Sequence, residues 1–277
     1  MVLYIREMVQ KRYFDAHGHL AHQPVGLDRI IEHSPVEGAF LLDISFYQCK
    51  RVVEPATPEE ILEVCRRYPN FFIPFGFLDF SKPVDIVDRL QEKGFQGLKC
   101  IRPVYNYDDE RYFPYYERAE KLKMPILFHT GLVSRADRSM LPEGVSTNSS
   151  RMRPCYLWGI ASAFPDLTII AAHLGYPWGQ EAFLCGTCYP NIYLDLSGGN
   201  IEYRLRWLNE YFDRGVAKKL LLAVDATYGR ECYHQDILRV LNFWNDYFDF
   251  ALVRHEAYRY KEAIFRLNTR NLISQIK

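Results

Sequence analysis

The sequence predicts an α/β fold, a single-domain (β/α)8 TIM barrel, and three observations predict it. Short β-branched or aromatic runs alternate with longer amphipathic stretches through nearly the whole chain. Several runs are apolar on both faces, as in Leu220-Leu221-Leu222-Ala223-Val224, the pattern of parallel strands covered on each side by helices. The chain has 277 residues, and single α/β barrels commonly reach about 250.

Taken in order, eight strands are expected at residues 13–17, 39–44, 72–78, 97–100, 126–129, 168–173, 192–196 and 220–225. The stretches between them carry helix signals. Thr57-Pro58-Glu59-Glu60 supplies an N-cap, a proline at the first helical position and a glutamate at the third. Ile61, Leu62, Val64 and Cys65 then give that helix an apolar face. A second helix over 85–93 carries Ile86, Val87 and Leu90 and stops at Gly94. Further helices are expected over 115–122, 154–164, 180–185, 203–212, 235–248 and 255–267, the last preceding Asn268-Thr269-Arg270-Asn271-Leu272-Ile273. The longest connection, 132–153, reads as an irregular loop after the fifth strand, of the length often used as a lid. No Gly/Ser-rich linker or composition shift divides the chain, so residues 1–277 read as one domain. An open doubly wound sheet would place a Gly-rich phosphate turn after an early strand; the turn here is His-Gly-His.

Composition narrows the function classes. A hydrophobic share of 48% with 25% charged residues is that of an ordinary globular core, so no disulfide or metal staple is needed for stability. Lys plus Arg and Asp plus Glu both number 34, and this balance points away from nucleic acid and anionic membranes as partners. No apolar run approaches the roughly 20 residues of a membrane span. The first residues lack the basic start and apolar stretch of a signal peptide, so a cytoplasmic location is expected. The seven cysteines are irregularly spaced and read as free thiols. Cys185-Gly186-Thr187-Cys188 has no second pair to make a zinc ribbon, and it closes a helix rather than opening one. The 20 Tyr and 18 Phe fit a tight core and leave a homo-oligomer open.

The chemistry gathers at strand ends. In Phe14-Asp15-Ala16-His17-Gly18-His19, strand alternation puts Asp15, His17 and His19 on one face. Lys99, His129, His173 and Asp225 end the fourth, fifth, sixth and eighth apolar strands. Barrel sites lie at the C-terminal ends of the strands, so these residues converge on the axis. Three neutral imidazoles and a carboxylate suit Zn²⁺ with water completing the set, and on ligand type Mn²⁺ or iron also fits. Each residue has a plainer reading. A lone His129 equally reads as a packing histidine, Asp225 as a helix N-cap, and Lys99 as half of an ion pair. Asp43, Asp79 and Asp195 read as caps or as partners that orient ligating histidines. His22, His33, His234 and His255 read as surface or packing residues. Arg102, Arg135, Arg138, Arg151 and Arg153 read as solvated charge, or else one or two clamp a substrate carboxylate.

Together the ordered motifs resemble the amidohydrolase-related branch of the amidohydrolase superfamily. They are Asp-x-His-x-His, Gly-Leu-Lys, Pro-Ile-Leu-Phe-His-Thr-Gly, Ala-Ala-His-Leu-Gly, Asn-Ile-Tyr-Leu-Asp-Leu-Ser-Gly and the final Asp225. The resemblance runs from Phe14 to Ile273. It implies a metal-dependent barrel enzyme acting on a small molecule, with His17, His19, His129 and Asp225 as metal ligands. It also implies an acid/base role for His173, or a ligand role in a two-metal site bridged by a carbamylated Lys99. One metal is preferred, with Lys99, Arg102 and Arg135 binding substrate. The reading that follows is a hydrolase of a carboxylated or cyclic compound, a lactone or amide. In it, Asp225 takes a proton from metal-activated water and His173 relays it. A non-oxidative decarboxylase and a non-catalytic small-molecule binding protein are the alternatives.

Overall fold

Each strand is short, and its residues divide between two cores. The computed structural model describes residues 12–46, 54–133, 141–142, 144–199, 201–251 and 256–276. In chain order the elements are β1 (Tyr13–Leu20), α1 (Leu27–His33), β2 (Val36–Leu42), α2 (Pro58–Arg67), β3 (Phe72–Phe77), α3 (Ile86–Lys93), β4 (Gly97–Cys100), α4 (Phe113–Lys121), β5 (Ile126–Phe128), α5 (Tyr156–Ala163), β6 (Ile169–Ala171), α6 (Gly179–Cys188), β7 (Ile192–Asp195), α7 (Ile201–Tyr211), α8 (Arg214–Ala217), β8 (Leu220–Leu221), β9 (Ala226–Tyr228), α9 (Glu231–Asp246) and α10 (Asn268–Ile276). The sheet runs β8-β7-β6-β5-β4-β3-β2-β1-β9, and every pairing is parallel.

The sheet closes where the end of the eighth strand returns to the first. Past β8 the chain runs along β1, with Ala16 N donating to Leu222 O at 2.9 Å and Asp225 N donating to His17 O at 2.7 Å. β9 then pairs with β1 through Gly18–Ala226, His19–Thr227 and Leu20–Tyr228. The fold is therefore the expected TIM barrel, with its eighth strand broken in two at Asp225.

Inward-facing residues Phe14, Phe40, Ile73, Phe75, Leu127, Ile170 and Leu221 fill the barrel. Phe40 packs on Phe14 and Phe75 at ring-centroid distances of 5.4 and 4.6 Å. Outward-facing residues, among them Leu41, Phe72, Leu98, Phe128, Ile169 and Leu194, pack against the helices in a second, larger core. Burying such a side chain contributes about 1.5–3 kcal/mol, so these two layers are the main source of stability.

α2 begins as the sequence predicts. The Thr57 side chain accepts from Glu60 N, and the Glu60 carboxylate accepts from Thr57 N at 2.8 Å. Other expectations are corrected. α1 is missed because it spans only 7 residues, starts at a positive-φ Gly26 and has no side-chain cap. The helix expected over 255–267 is instead a 3-10 turn (Ala257–Tyr260) and a π turn (Ala263–Leu267), and His255 lies outside the described residues. The segment past the helix taken as final is a further helix, α10. Its Leu272, with Ile273 and Ile276 beside it, joins the barrel-interior core, and burying that face offsets weak local helix signals. Among the described residues no helix is long and apolar enough to cross a membrane.

Candidate active site

β1 delivers His17 and His19 to the barrel mouth, but not by simple alternation. Asp15 pairs with Ala39 and Gly18 with Leu41, so one extra β1 residue is accommodated between them. Bulges of this kind re-aim side chains. The expectation that Asp15 shares a face with the histidines is thereby corrected. Asp15 is fully buried and does not line the cavity. Its carboxylate accepts from His17 N, Val224 N and Tyr228 OH at 3.0, 2.9 and 2.8 Å, stapling β1 to the end of the eighth strand. Burial raises Asp15 to about 7, with those donors working against it.

The other site residues are placed by left-handed backbone at strand ends. His173 and Leu174 follow β6 at φ 62° and 47°, and Asp225 follows β8 at φ 61°. Non-glycine residues seldom adopt such angles, and they cluster at functional sites.

His17 Nε2 and His19 Nε2 lie 3.5 and 3.2 Å from Asp225 Oδ1. The opposite ring nitrogens are pinned, His17 Nδ1 by Asp195 Oδ2 at 2.8 Å and His19 Nδ1 by Leu42 O at 3.0 Å. Those partners take the Nδ1 protons and leave both Nε2 lone pairs facing Asp225, the arrangement a cation needs. His17, His19 and Asp225 form one tight ligand cluster, and His17, His173 and Asp195 form another. His129 lines the same cavity but stands one ring away, with its Nδ1 3.1 Å from His173 Nε2.

Burial lowers His17 to about 3, with the Lys99 charge adding to the effect. Burial also lowers His129 and His173, so these imidazoles are neutral at pH 7, the form that ligates. Asp225 is held well below the usual carboxylate range: its partial withdrawal from water works upward, but His17, His19 and His173 outweigh it. Asp195 behaves likewise, because burial is outweighed by His17, His173 and Ser197. Lys99 is 1% exposed, and burial brings it down to about 8. Its ammonium reaches the cavity and makes no hydrogen bond among the described residues.

The cavity has a volume of about 540 Å³, within the roughly 300–1,000 Å³ of small-molecule sites. One wall is polar: His17, His19, Lys99, His129, His173 and Asp225. The other is apolar: Ile44, Phe46, Ile101, Leu132 and Val133, with Phe46 stacked on Phe77 at 4.0 Å. A larger hollow of about 980 Å³ opens beside it between Lys82 and Arg151, but it brings no histidine cluster together.

Among the described residues no arginine lines this cavity. Arg102 is buried beneath residues 146–152, with its N–H on Met152 Sδ at 3.2 Å and Nη1 on Ser146 O at 3.4 Å. Arg153 pairs with Glu181, and Arg151 donates to Ser146 Oγ at 3.2 Å. Arg135 and Arg138 lie outside the described residues. Asp43 accepts from Ser45 N at 2.8 Å and Asp79 from Ser81 N at 2.9 Å, the turn-capping role expected of them. Cys185 is buried, taking the Trp158 indole N–H on its sulfur, while Cys188 ends α6 exposed.

Sequence reasoning missed Ser197 and Arg204. Ser197 Oγ touches His17 Nδ1, His173 Nδ1 and Asp195 at 3.1, 2.8 and 2.5 Å. It stands two residues past Asp195, beyond the end of β7. Arg204, buried on α7, donates to Leu196 O and lies 5.5 Å over the Trp244 ring. Nothing in its helical context marks it out.

Residues 15–272 match the amidohydrolase family (Amidohydro_2). The chain belongs to that family. The members of that family are metal-dependent enzymes of the amidohydrolase superfamily that act on small molecules. Among curated proteins, it is 31% identical over 72 residues to protein fluG of Emericella nidulans. That stretch is 26% of this chain and spans only 7% of the fungal protein's length. Three solved structures share the fold. An uncharacterized TIM-barrel protein of Bordetella bronchiseptica superposes with TM-score 0.65 at 15% identity, covering 95% of this chain and 99% of that one. A Rhizobium 2,6-dihydroxybenzoate decarboxylase gives 0.62 at 17% identity, covering 96% and 99%. An Acinetobacter baumannii protein described as a probable 2-pyrone-4,6-dicarboxylic acid hydrolase, with citric acid bound, gives 0.61 at 12% identity, covering 95% and 99%.

Proposed function

We propose that this amidohydrolase is a hydrolase of a small carboxylated or cyclic compound, a lactone or amide, and that it uses one divalent cation, Zn²⁺ before Mn²⁺. The observation that carries the reading is the facing set of His17 Nε2, His19 Nε2 and the Asp225 carboxylate beside a neutral His173. The donor set fits a cation: the rings are neutral, their far nitrogens are occupied, and an anionic oxygen lies between them. His17, His19 and Asp225 would hold the ion, with His129, which lines the same cavity, as the further ligand. Bound there, the cation would polarise a carbonyl and bring a water's pKa to about 7.

The chain's own residues do the rest. Asp225, whose side chain is 32% exposed, stays ionised and accepts the attacking water's proton. His173 takes that proton at Nε2 and delivers it to the leaving group. Lys99, whose ammonium makes no hydrogen bond among the described residues, binds a substrate carboxylate. The apolar wall from Ile44 to Val133 excludes water from the rest of the substrate.

The apolar wall also favours a second reading, non-oxidative decarboxylation of an aromatic acid with His173 donating a proton to carbon. Burial lowers His173, which works against a resident acid there and places hydrolysis first. The test is a screen of lactones, amides and aromatic acids with protein of measured metal content, run in ¹⁸O-labelled water. Hydrolysis puts one label into the product; CO2 release without label uptake overturns it. With the substrate found, Asp225→Asn is expected to lower kcat by at least about 10³-fold with the fold intact. Near-normal turnover by that variant would reject Asp225 as the base.

A further inference from the structure

Ser197 lies 1% exposed at the centre of the site, and its hydroxyl has three possible partners but one proton. Asp195 Oδ1 is 2.5 Å away, His173 Nδ1 is 2.8 Å away and His17 Nδ1 is 3.1 Å away. Asp195 is ionised and accepts only, so two bare oxygens at 2.5 Å would repel. An O–H···O⁻ contact normally spans about 2.5–2.7 Å. The Ser197 proton therefore points at Asp195, and the Ser197 lone pairs face the two rings. His173 must then carry its own proton on Nδ1 and present a bare Nε2. The next contact, 3.1 Å from that Nε2 to His129 Nδ1, now needs its proton from His129. This leaves His129 Nε2 bare as well. The opposite ordering would put a proton on His129 Nε2 and aim it at Leu132 O, 3.4 Å away. That contact is far longer, and so weaker, than the 2.5 Å one from Ser197 to Asp195. The short charge-assisted contact at the Ser197 end therefore sets the direction.

We infer that Ser197 is a positioning residue that sets the tautomers of His173 and, through it, His129, so that His173 Nε2 accepts from His129 Nδ1 and His129 Nε2 is left unprotonated. His17 does not depend on it, because Asp195 Oδ2 takes the His17 proton directly at 2.8 Å. One carboxylate thus orders three imidazoles, one directly and two through a hydroxyl.

The deciding experiment is nitrogen-15 NMR of histidine-labelled, metal-stripped protein at pH 7.5, with ring signals assigned by single His→Asn variants. In the wild type, His173 and His129 are expected as Nδ1–H tautomers. In Ser197→Ala, His173 is expected to shift toward Nε2–H while His17 keeps its Nδ1–H. Ser197→Thr, which restores the hydroxyl, is expected to restore the wild-type pattern. An Nε2–H His173 in the wild type overturns the inference whether or not the alanine variant folds. So does a His173 tautomer unmoved in Ser197→Ala. A second arm rests on the proposed metal site: Ser197→Ala is expected to weaken Zn²⁺ binding about 10- to 100-fold. A wild-type chain that binds no zinc would sink the metal reading, while the ring resonances still decide for or against Ser197.

Discussion

At the scale of single residues, the space around His173 leaves no slack. Gly198 has φ 100°, and a Cβ placed there would meet His173 Nδ1 at 2.7 Å. Gly198→Ala is therefore expected to displace the ring from Ser197, cutting kcat about 10²-fold or more. The melting temperature should fall by only a few degrees, since a residue at the mouth supports little of either core. Paired kinetics and melting curves check this, and a variant with unchanged kcat rejects the tight-fit account. Lys99→Met keeps the stem and removes the ammonium. If that charge holds a substrate carboxylate, KM should rise at least tenfold with kcat much less affected. The site residues visible in the sequence are those whose polar character contradicts an apolar strand: His17, His19, Lys99, His129, His173 and Asp225 all line one cavity. Ser197 was illegible as a partner because a serine after a strand is unremarkable. Its role exists only once β1, β6 and β7 are side by side. Arg102 misled for the converse reason: guanidinium chemistry suits a carboxylate clamp, but sequence cannot say that Arg102 turns inward beneath residues 146–152.

At the scale of elements, local chemistry reads well wherever it is self-contained. The start of α2 is written in Thr57, Pro58 and Glu60, and all three act as expected. Glu60 does more than cap. Its carboxylate also accepts from Gln23 N at 2.9 Å and lies 3.0 Å from His22 Nδ1, tying the loop after β1 to α2. Its slight burial works upward on its pKa, but the amides of Thr57 and Gln23 and the His22 ring hold Glu60 below its ordinary value. A carboxylate depressed in the folded state adds stability above its unfolded pKa and loses it as pH falls through the folded one. Glu60→Gln is thus expected to cost about 1 kcal/mol at pH 7 and almost nothing near pH 3. Urea titrations at the two pH values check it, and an equal cost at both removes the charge from the explanation. α1 and α10 were illegible for a different reason. Each is short and held by what it packs against, Leu27 and Ile30 in the outer core and Leu272 in the barrel interior. That burial depends on the rest of the molecule.

At the scale of the whole molecule, alternation of strand and helix sufficed for the barrel, because parallel strands leave few other closed arrangements. The break at Asp225 and the bulge before Gly18 were not visible, since both arise from register between β1 and the eighth strand. The proposed ligands come from β1, β5 and that eighth strand, so an ion would crosslink distant parts of the sheet. Saturating Zn²⁺ at about 1,000 times its Kd is expected to add about 4 kcal/mol. For a chain of this size that corresponds to roughly 7 °C in melting temperature. Chelation should reverse the gain, and His17→Ala should abolish the response to both metal and chelator. A wild-type melting curve indifferent to zinc argues against the site.

The seam between Ala16 and Leu222, with Asp225 N on His17 O, brings together parts of the polypeptide more than two hundred positions apart. Contacts of such long range slow folding, because the loop they close must be ordered before they reward it. Catalytic competence should accordingly emerge late during refolding, after most helical signal has returned. Burst-and-lag measurements, circular dichroism against recovered activity, would display that delay directly.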